Sequence, residues 1–237
     1  MADRQDLHRT LIALLSQTPL DRVVRVAIDG VDGSGKTYLA DELAQLLKAS
    51  GRTTIRASVD GFHNPKAVRY RRGRDSPEGF FVDSYDYAGL KAVLLDPLSP
   101  GGSGRYRVAI LDHRSDSPIQ APERTAAFGE ILLLDGIFLH RPELRGYWDY
   151  SIFLQVAFSV SIPRCAQRGD GSADPAAPEN QRYIRGQELY LRSCRPTSFA
   201  TFVVNNDDLG SPYIVEAKRA PLAKSQGAQR TKAPSEP

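Results

Sequence analysis

Val23-Val24-Arg25-Val26-Ala27-Ile28-Asp29-Gly30-Val31-Asp32-Gly33-Ser34-Gly35-Lys36-Thr37 decides the fold of this chain. An apolar, β-branched run from Val23 to Ile28 leads directly into Gly30–Thr37, which is G-x-x-x-x-G-K-[ST], the phosphate-binding P-loop. Leu39, Leu43, Leu46 and Leu47 then recur at helical spacing. Strand, loop and helix are the context that the motif requires. In that context glycines let successive backbone N–H groups turn inward around a phosphate chain, and the helix aims its positive end at it. Gly30, Val31, Asp32, Gly33, Ser34, Gly35, Lys36 and Thr37 are therefore the expected ATP-binding residues. Lys36 reaches the β- and γ-phosphates, and the Thr37 hydroxyl is a ligand for Mg²⁺. The alternative is a glycine-rich turn that binds nothing; the complete motif in its proper context argues against it.

Working outward, strands alternate with helices. An amphipathic helix over residues 3–16, with Leu7, Leu11, Leu14 and Leu15 on one side, ends before Pro19. Thr53 to Val59 reads as a second strand ending at Asp60, Ile131 to Leu134 as a fully apolar strand ending at Asp135, and Ser151 to Val156 and Phe202 to Val204 as further strands. Val108 to Leu111 is another short apolar run, closed by Asp112. Helices are expected over 84–95, from near Ser161, and over 181–194. Residues 61–80 are charged and irregular, and 169–180 are rich in Gly, Asp, Pro and Ala. Such alternation implies right-handed crossovers and a mostly parallel α/β sheet covered on both faces, with ligands at the carboxyl ends of the strands. Asp29, Asp60, Asp112 and Asp135 all fall at or just after such ends.

Composition bounds the function. The 237 residues are 41% hydrophobic and 25% charged, enough for one domain with a core that needs no disulfide. Cys165 and Cys194 stand in no metal or Cys-x-x-Cys spacing, and a reduced, cytoplasmic setting is the simplest reading. The run Leu11 to Leu15 is short and follows Asp3, Arg4, Asp6 and Arg9, so it does not read as a signal peptide, and no run approaches a membrane span. The net charge is +3, yet five basic residues lie from Lys218 onward with one acid, leaving 26 basic against 27 acidic side chains over 1–217. A nearly neutral body argues against nucleic acid as partner. Residues 218–237 read as a disordered basic tail behind a single domain over 1–217.

Several side chains could carry chemistry. Asp135 at the end of its apolar strand has the look of a metal-holding carboxylate, or is an ordinary acid at a loop start. Asp60 either orients and deprotonates an attacking hydroxyl or caps the turn before Gly61. Arg164 and Arg168, four apart beside the 169–180 loop, either neutralise a transferring phosphoryl group or form a solvated basic face. His63 and His113 are candidates for substrate hydrogen bonds or for structural ones.

The P-loop, Asp60-Gly61-Phe62-His63, Asp75-Ser76-Pro77, His113, Asp135-Gly136-Ile137 and Arg164-x-x-x-Arg168 follow one another in one order. Together they resemble the uridine kinase and phosphoribulokinase group of P-loop kinases, over roughly residues 20–210. The resemblance implies a five-stranded parallel sheet with a helical lid at about 164–190. It also implies ATP and Mg²⁺ as cofactors and a small-molecule hydroxyl as acceptor, most simply the 5′-hydroxyl of a pyrimidine ribonucleoside. It makes Asp60 the catalytic base, sets Asp75 against sugar hydroxyls, and assigns Arg164 and Arg168 to the lid. Gly61 and His63 replace the usual Ser and Tyr, Asp135 replaces a Glu common in uridine kinases, and Ser161 stands where an arginine is expected. Pantothenate or sugar acceptors, and a P-loop NTPase without an acceptor, remain alternatives. The chain has no Asn-Lys-x-Asp and no Leu-Ser-Gly-Gly-Gln, so neither a GTPase nor an ABC-type ATPase fits.

Overall fold

A computed structural model describes residues 4–218. The segment 219–237, nearly all of the basic tail, lies outside the described residues. Six strands form the main sheet: β1 (Val24–Gly30), β2 (Thr54–Ser58), β3 (Ile131–Gly136), β4 (Tyr150–Gln155), β5 (Phe202–Asn205) and β6 (Tyr213–Ala217). Their order is β6-β5-β4-β1-β3-β2; the first five in chain order run parallel, and β6 adds an antiparallel edge on β5. Five parallel strands were expected, and β6 is the addition. The carboxyl ends of the parallel strands share one edge of the sheet, led by β1 at its centre.

Parallel strands are buried on both faces, so every residue of β1 and β3 is buried. On one face, α1 (Arg4–Ser16) lays Leu7, Leu11 and Leu15 down, and α2 (Lys36–Ala49) lays down Leu39, Leu43 and Leu47, over Val24, Val26 and Ile28. Each such leucine contributes about 2 kcal/mol by leaving water. Leu46, expected on this face, is exposed. On the other face Ala27, Leu132 and Leu134 meet Phe62, Phe80, Phe138 and Tyr190. There α3 (Pro77–Asp83) packs on α5 (Pro178–Cys194). Between them in sequence, α4 (Phe158–Ala166) begins before Ser161 and carries Pro163 inside it. Among the described residues no helix is long and apolar enough to cross a membrane.

Two expectations change. Val108–Leu111 does not join the sheet: Leu111–Asp112 pairs with Ser117–Pro118 in a separate two-residue ribbon. Asp112 there accepts from the Arg114 amide at 2.9 Å and the Ser115 hydroxyl at 2.8 Å, which makes it a turn cap. The charged 61–80 stretch is ordered by its own pairing. Arg71 and Arg72 both bind buried Asp83, Arg69 binds Asp116, and Lys66–Arg69 forms a helical turn.

Candidate active site

The P-loop lies across the carboxyl edge of β1. Its path needs glycine where other elements press on it. Gly33 has φ +72°, and a Cβ there would collide with the Ser161 carbonyl oxygen of α4. Gly35 has φ +93°, and a Cβ would come 2.8 Å from the Asn206 amide nitrogen. Asn206 in turn donates to the Ser34 carbonyl at 2.7 Å, and the Asp32 N–H donates to Gln187 Oε1 at 2.6 Å. The loop is thus pinned from the end of β5 and from α5.

A cavity opens over this loop, walled by Asp32, Gly33, Gly35, Lys36, Thr37, Ser58, Asp60, Tyr85, Asp135 and Arg168 among others. Lys36 Nζ donates to the Val31 carbonyl at 2.8 Å. The Thr37 hydroxyl donates to Asp135 Oδ2 at 2.8 Å, and Arg56 Nη2 donates to Asp135 Oδ1 at 3.0 Å. Asp135 is buried at the end of β3. A hydroxyl and a carboxylate held side by side are hard oxygen donors of the kind that Mg²⁺ takes together with substrate phosphates. The donor set therefore fits the ion. Among the described residues no group of three or more His, Cys, Asp or Glu could hold a metal by itself.

Opposite the P-loop, Asp60 follows β2 in a short 3₁₀ turn. Tyr85 donates its hydroxyl to Asp60 Oδ1 at 3.2 Å. Burial, then the charges of Asp60 and Asp32, push the Tyr85 pKa well up, so it stays a donor at neutral pH. Asp60 Oδ2 takes no hydrogen bond among the described residues, and Asp60 lines the cavity. His63 Nδ1 lies 3.0 Å from the Asp60 carbonyl, and its ring stacks on His113 at 4.8 Å. Burial pushes the His63 pKa down.

No protein-family model matches the chain. The tRNA-specific adenosine deaminase subunit tad2 of Schizosaccharomyces pombe is 28% identical over 158 residues, 62% of this chain and 36% of that protein. The chain thus spans about a third of the curated relative it matches. It has no Cys-x-x-Cys, the zinc-ligand spacing of nucleobase deaminases. Solved structures agree with one another. A possible uridine kinase from Bacillus stearothermophilus superposes with a TM-score of 0.66 at 21% identity, over 84% of this chain and 97% of that one. A candidate fructose transport system kinase from Silicibacter sp. TM1040 gives 0.60 at 25% identity, over 78% and 94%. Phosphoribulokinase from Rhodobacter spheroides gives 0.52 at 13%, over 78% and 70%. The fold is that of the uridine kinase and phosphoribulokinase group of P-loop kinases.

Within this kinase fold the remaining expected residues separate. Arg168 is on the cavity wall, but it lies past the end of α4, in a turn closed by Gly169. Arg164 points elsewhere: its guanidinium donates to the carbonyls of Asn206, at 3.0 Å, and Asp207, at 2.5 Å. The two arginines do share a second cavity, with Arg4, Tyr38 and Leu209, that meets the first at Gly33, Gly35 and Tyr38. Asp75 is exposed and lines neither cavity; its neighbour Ser76 caps α3. His63 and His113 sit behind Asp60 rather than on the wall.

Asp29, grouped with the strand-end acids, faces away from the site. It is wholly buried, and its Oδ2 takes the His140 amide at 3.1 Å, His140 Nδ1 at 2.6 Å and the Tyr190 hydroxyl. His140 Nε2 continues to Ser151 Oγ at 2.9 Å. Sequence reading missed Tyr85, Gln187, Asn206 and Arg56. Each reaches the site from a distant segment, and no local motif marks it.

Proposed function

We propose that this protein is an ATP-dependent small-molecule kinase that transfers the γ-phosphoryl group to a hydroxyl, with the 5′-hydroxyl of a pyrimidine ribonucleoside as acceptor. The observation that carries the reading is Asp60. One of its oxygens is held by Tyr85, the other takes no hydrogen bond among the described residues, and Asp60 lies on the wall shared with Lys36 and Thr37. A carboxylate so placed aligns an acceptor hydroxyl and takes its proton as the phosphoryl group leaves ATP. The P-loop holds the phosphates, and the second cavity suits the adenosine half, between Tyr38, Arg164 and Leu209. Thr37 and Asp135 would hold Mg²⁺, which supplies charge neutralisation across the phosphates. Arg168, between the two cavities, neutralises the transferring group, and residues 164–190 form the lid.

The likeness to a possible uridine kinase supports a nucleoside acceptor. A sugar acceptor is the second reading, favoured by the likeness to a candidate fructose transport system kinase at 25% identity. The test is a coupled ADP assay with uridine, cytidine, deoxyuridine, pantothenate, ribose and fructose. Uridine- or cytidine-dependent ADP release is expected. Turnover of a sugar or pantothenate alone would replace the acceptor, and turnover without any acceptor would replace the kinase reading with an NTPase.

Metal dependence follows from the Thr37–Asp135 contact. Asp135→Asn removes a charge from the metal-holding pair and leaves Arg56 facing a neutral amide. The Mg²⁺ concentration for half-maximal activity is expected to rise about tenfold, through loss of roughly 1.4 kcal/mol of binding. A magnesium titration of the variant that overlays wild type would remove Asp135 from the metal site.

A further inference from the structure

Asp32 is the one acid of the P-loop, and its carboxylate lies within reach of the charges of Lys36 and Arg168 without a hydrogen bond from either. Its backbone is fixed: the N–H donates to Gln187 Oε1, and Gln187 is itself buried, with Nε2 donating to the Tyr183 carbonyl at 3.0 Å. The next residue, Gly33, is pressed against α4. Asp32 is thereby held half-buried on the cavity wall with Asp60, Tyr85, Lys36 and Arg168. Among the described residues it takes no hydrogen bond.

That arrangement is costly. Burial pushes the Asp32 pKa up, Lys36 pulls it back, and the nearby Asp60 pushes it up again. A carboxylate beside a polyphosphate site also repels the nucleotide. A half-buried carboxylate on a cavity wall, with no hydrogen bond from the protein, is free to accept one from a donor that arrives with a ligand. Phosphate oxygens carry no donor. A hydroxyl-bearing acceptor does, and it must lie near Asp60 for its reacting oxygen to be activated. Asp75, the residue that family resemblance sets against sugar hydroxyls, is exposed and off the wall.

We propose that Asp32 is a specificity residue of the acceptor site. It accepts a hydrogen bond from a second hydroxyl of the acceptor while Asp60 takes the reacting one, so the site selects a diol or polyol, ribose-like or sugar-like, over a molecule with a single alcohol. The inference rests on the kinase reading. It adds that the P-loop itself, and not only the acceptor-side segments, reads the acceptor.

The experiment measures steady-state kinetics of wild type, Asp32→Ala, Asp32→Asn and Asp75→Ala. The acceptors are uridine with its 2′-deoxy and 3′-deoxy analogues or, if ribose or fructose is the panel member turned over, that sugar with its monodeoxy analogues. Wild type is expected to prefer the full polyol over one deoxy analogue by about tenfold or more. In Asp32→Ala that preference should fall to about threefold or less, and the KM for the acceptor should rise about tenfold. Asp32→Asn keeps one acceptor oxygen and should recover part of the preference. Asp75→Ala should leave it intact. A merely structural role would not move the ratio between two acceptors. Unchanged discrimination in Asp32→Ala, with wild-type turnover intact, overturns the role of Asp32 alone. Absence of acceptor-dependent turnover in wild type overturns the kinase reading and this inference with it.

Discussion

Lys36→Ala is expected to lower kcat by a factor of a hundred to a thousand or more while leaving the fold intact. Lys36 opens α2 and lines the cavity, and its ammonium donates to the Val31 carbonyl within the loop itself. It belongs to neither hydrophobic cluster. The loop keeps its shape through other contacts, from Asn206 to the Ser34 carbonyl and from the Asp32 amide to Gln187. Truncation therefore removes a charge from the phosphates without opening the core. Phosphoryl transfer spreads negative charge over the transferring oxygens, and a preorganised cation there is worth about 3–4 kcal/mol, or two to three orders of magnitude in rate. Lys36→Arg should rescue little, because a planar guanidinium does not fill the place of a compact ammonium. The check is ADP release at saturating ATP, with circular dichroism and thermal melting as fold controls. Near wild-type turnover in a folded Lys36→Ala protein would take the P-loop out of the chemistry.

The parts of this fold that were legible in sequence are those whose causes are local. The P-loop carries its strand, turn glycines and helix in one continuous stretch from Val24 to Ala49. β1 and β3 announced themselves because a strand buried on both faces is a nearly continuous apolar run, whereas β2 showed as an alternation, with Ile55 and Ala57 buried between half-buried neighbours. β6 has only one partner strand and leaves Tyr213 and Val215 exposed, so its composition does not mark it as sheet. Val108–Leu111 is apolar for another reason: part of it packs beneath the site without joining the ladder.

Strand-end acids show the limit of such reading most clearly. Asp29 and Asp135 both close buried strands, and sequence alone treats them alike. In the parallel register Asp135 pairs with Ile28, while Asp29 pairs with Gly136. Paired residues share a face, and successive residues alternate. Asp135 thus shares the α2 face, where Thr37 meets it, whereas Asp29 turns to the face of His140 and Tyr190. One residue of register separates a candidate metal ligand from a buried structural acid. Tyr85 was illegible for a related reason, since it meets Asp60 only after the chain has folded back through α3.

Asp60→Asn is the variant that tests the chemistry most directly. Tyr85 donates to Oδ1 of Asp60, and an asparagine carbonyl oxygen can accept the same bond. The turn from Val59 to Phe62, with the Ser58 hydroxyl 3.3 Å from the Asp60 amide, does not involve the carboxylate. Side-chain position should therefore survive the change. The open oxygen, Oδ2, is replaced by an NH₂ group that can donate but cannot take a proton. Loss of a general base costs about 10²–10⁴ in rate. Because the lost interaction matters as the proton moves, the deficit should fall on kcat, with the KM for ATP within about twofold of wild type. Tyr85→Phe removes only the bond that orients Asp60 and should lower kcat less, by about ten- to a hundredfold, for loss of one hydrogen bond of about 1.5–3 kcal/mol to a charged group. The pair of variants separates the reading from its rivals. An acid that merely capped the turn would show its loss in the melting temperature and spare kcat, and an acid that bound only the ground state would raise the acceptor KM and spare kcat. Full activity of Asp60→Asn on the acceptor that wild type phosphorylates would remove Asp60 as base and leave the proton to pass directly to the phosphoryl oxygens or to solvent.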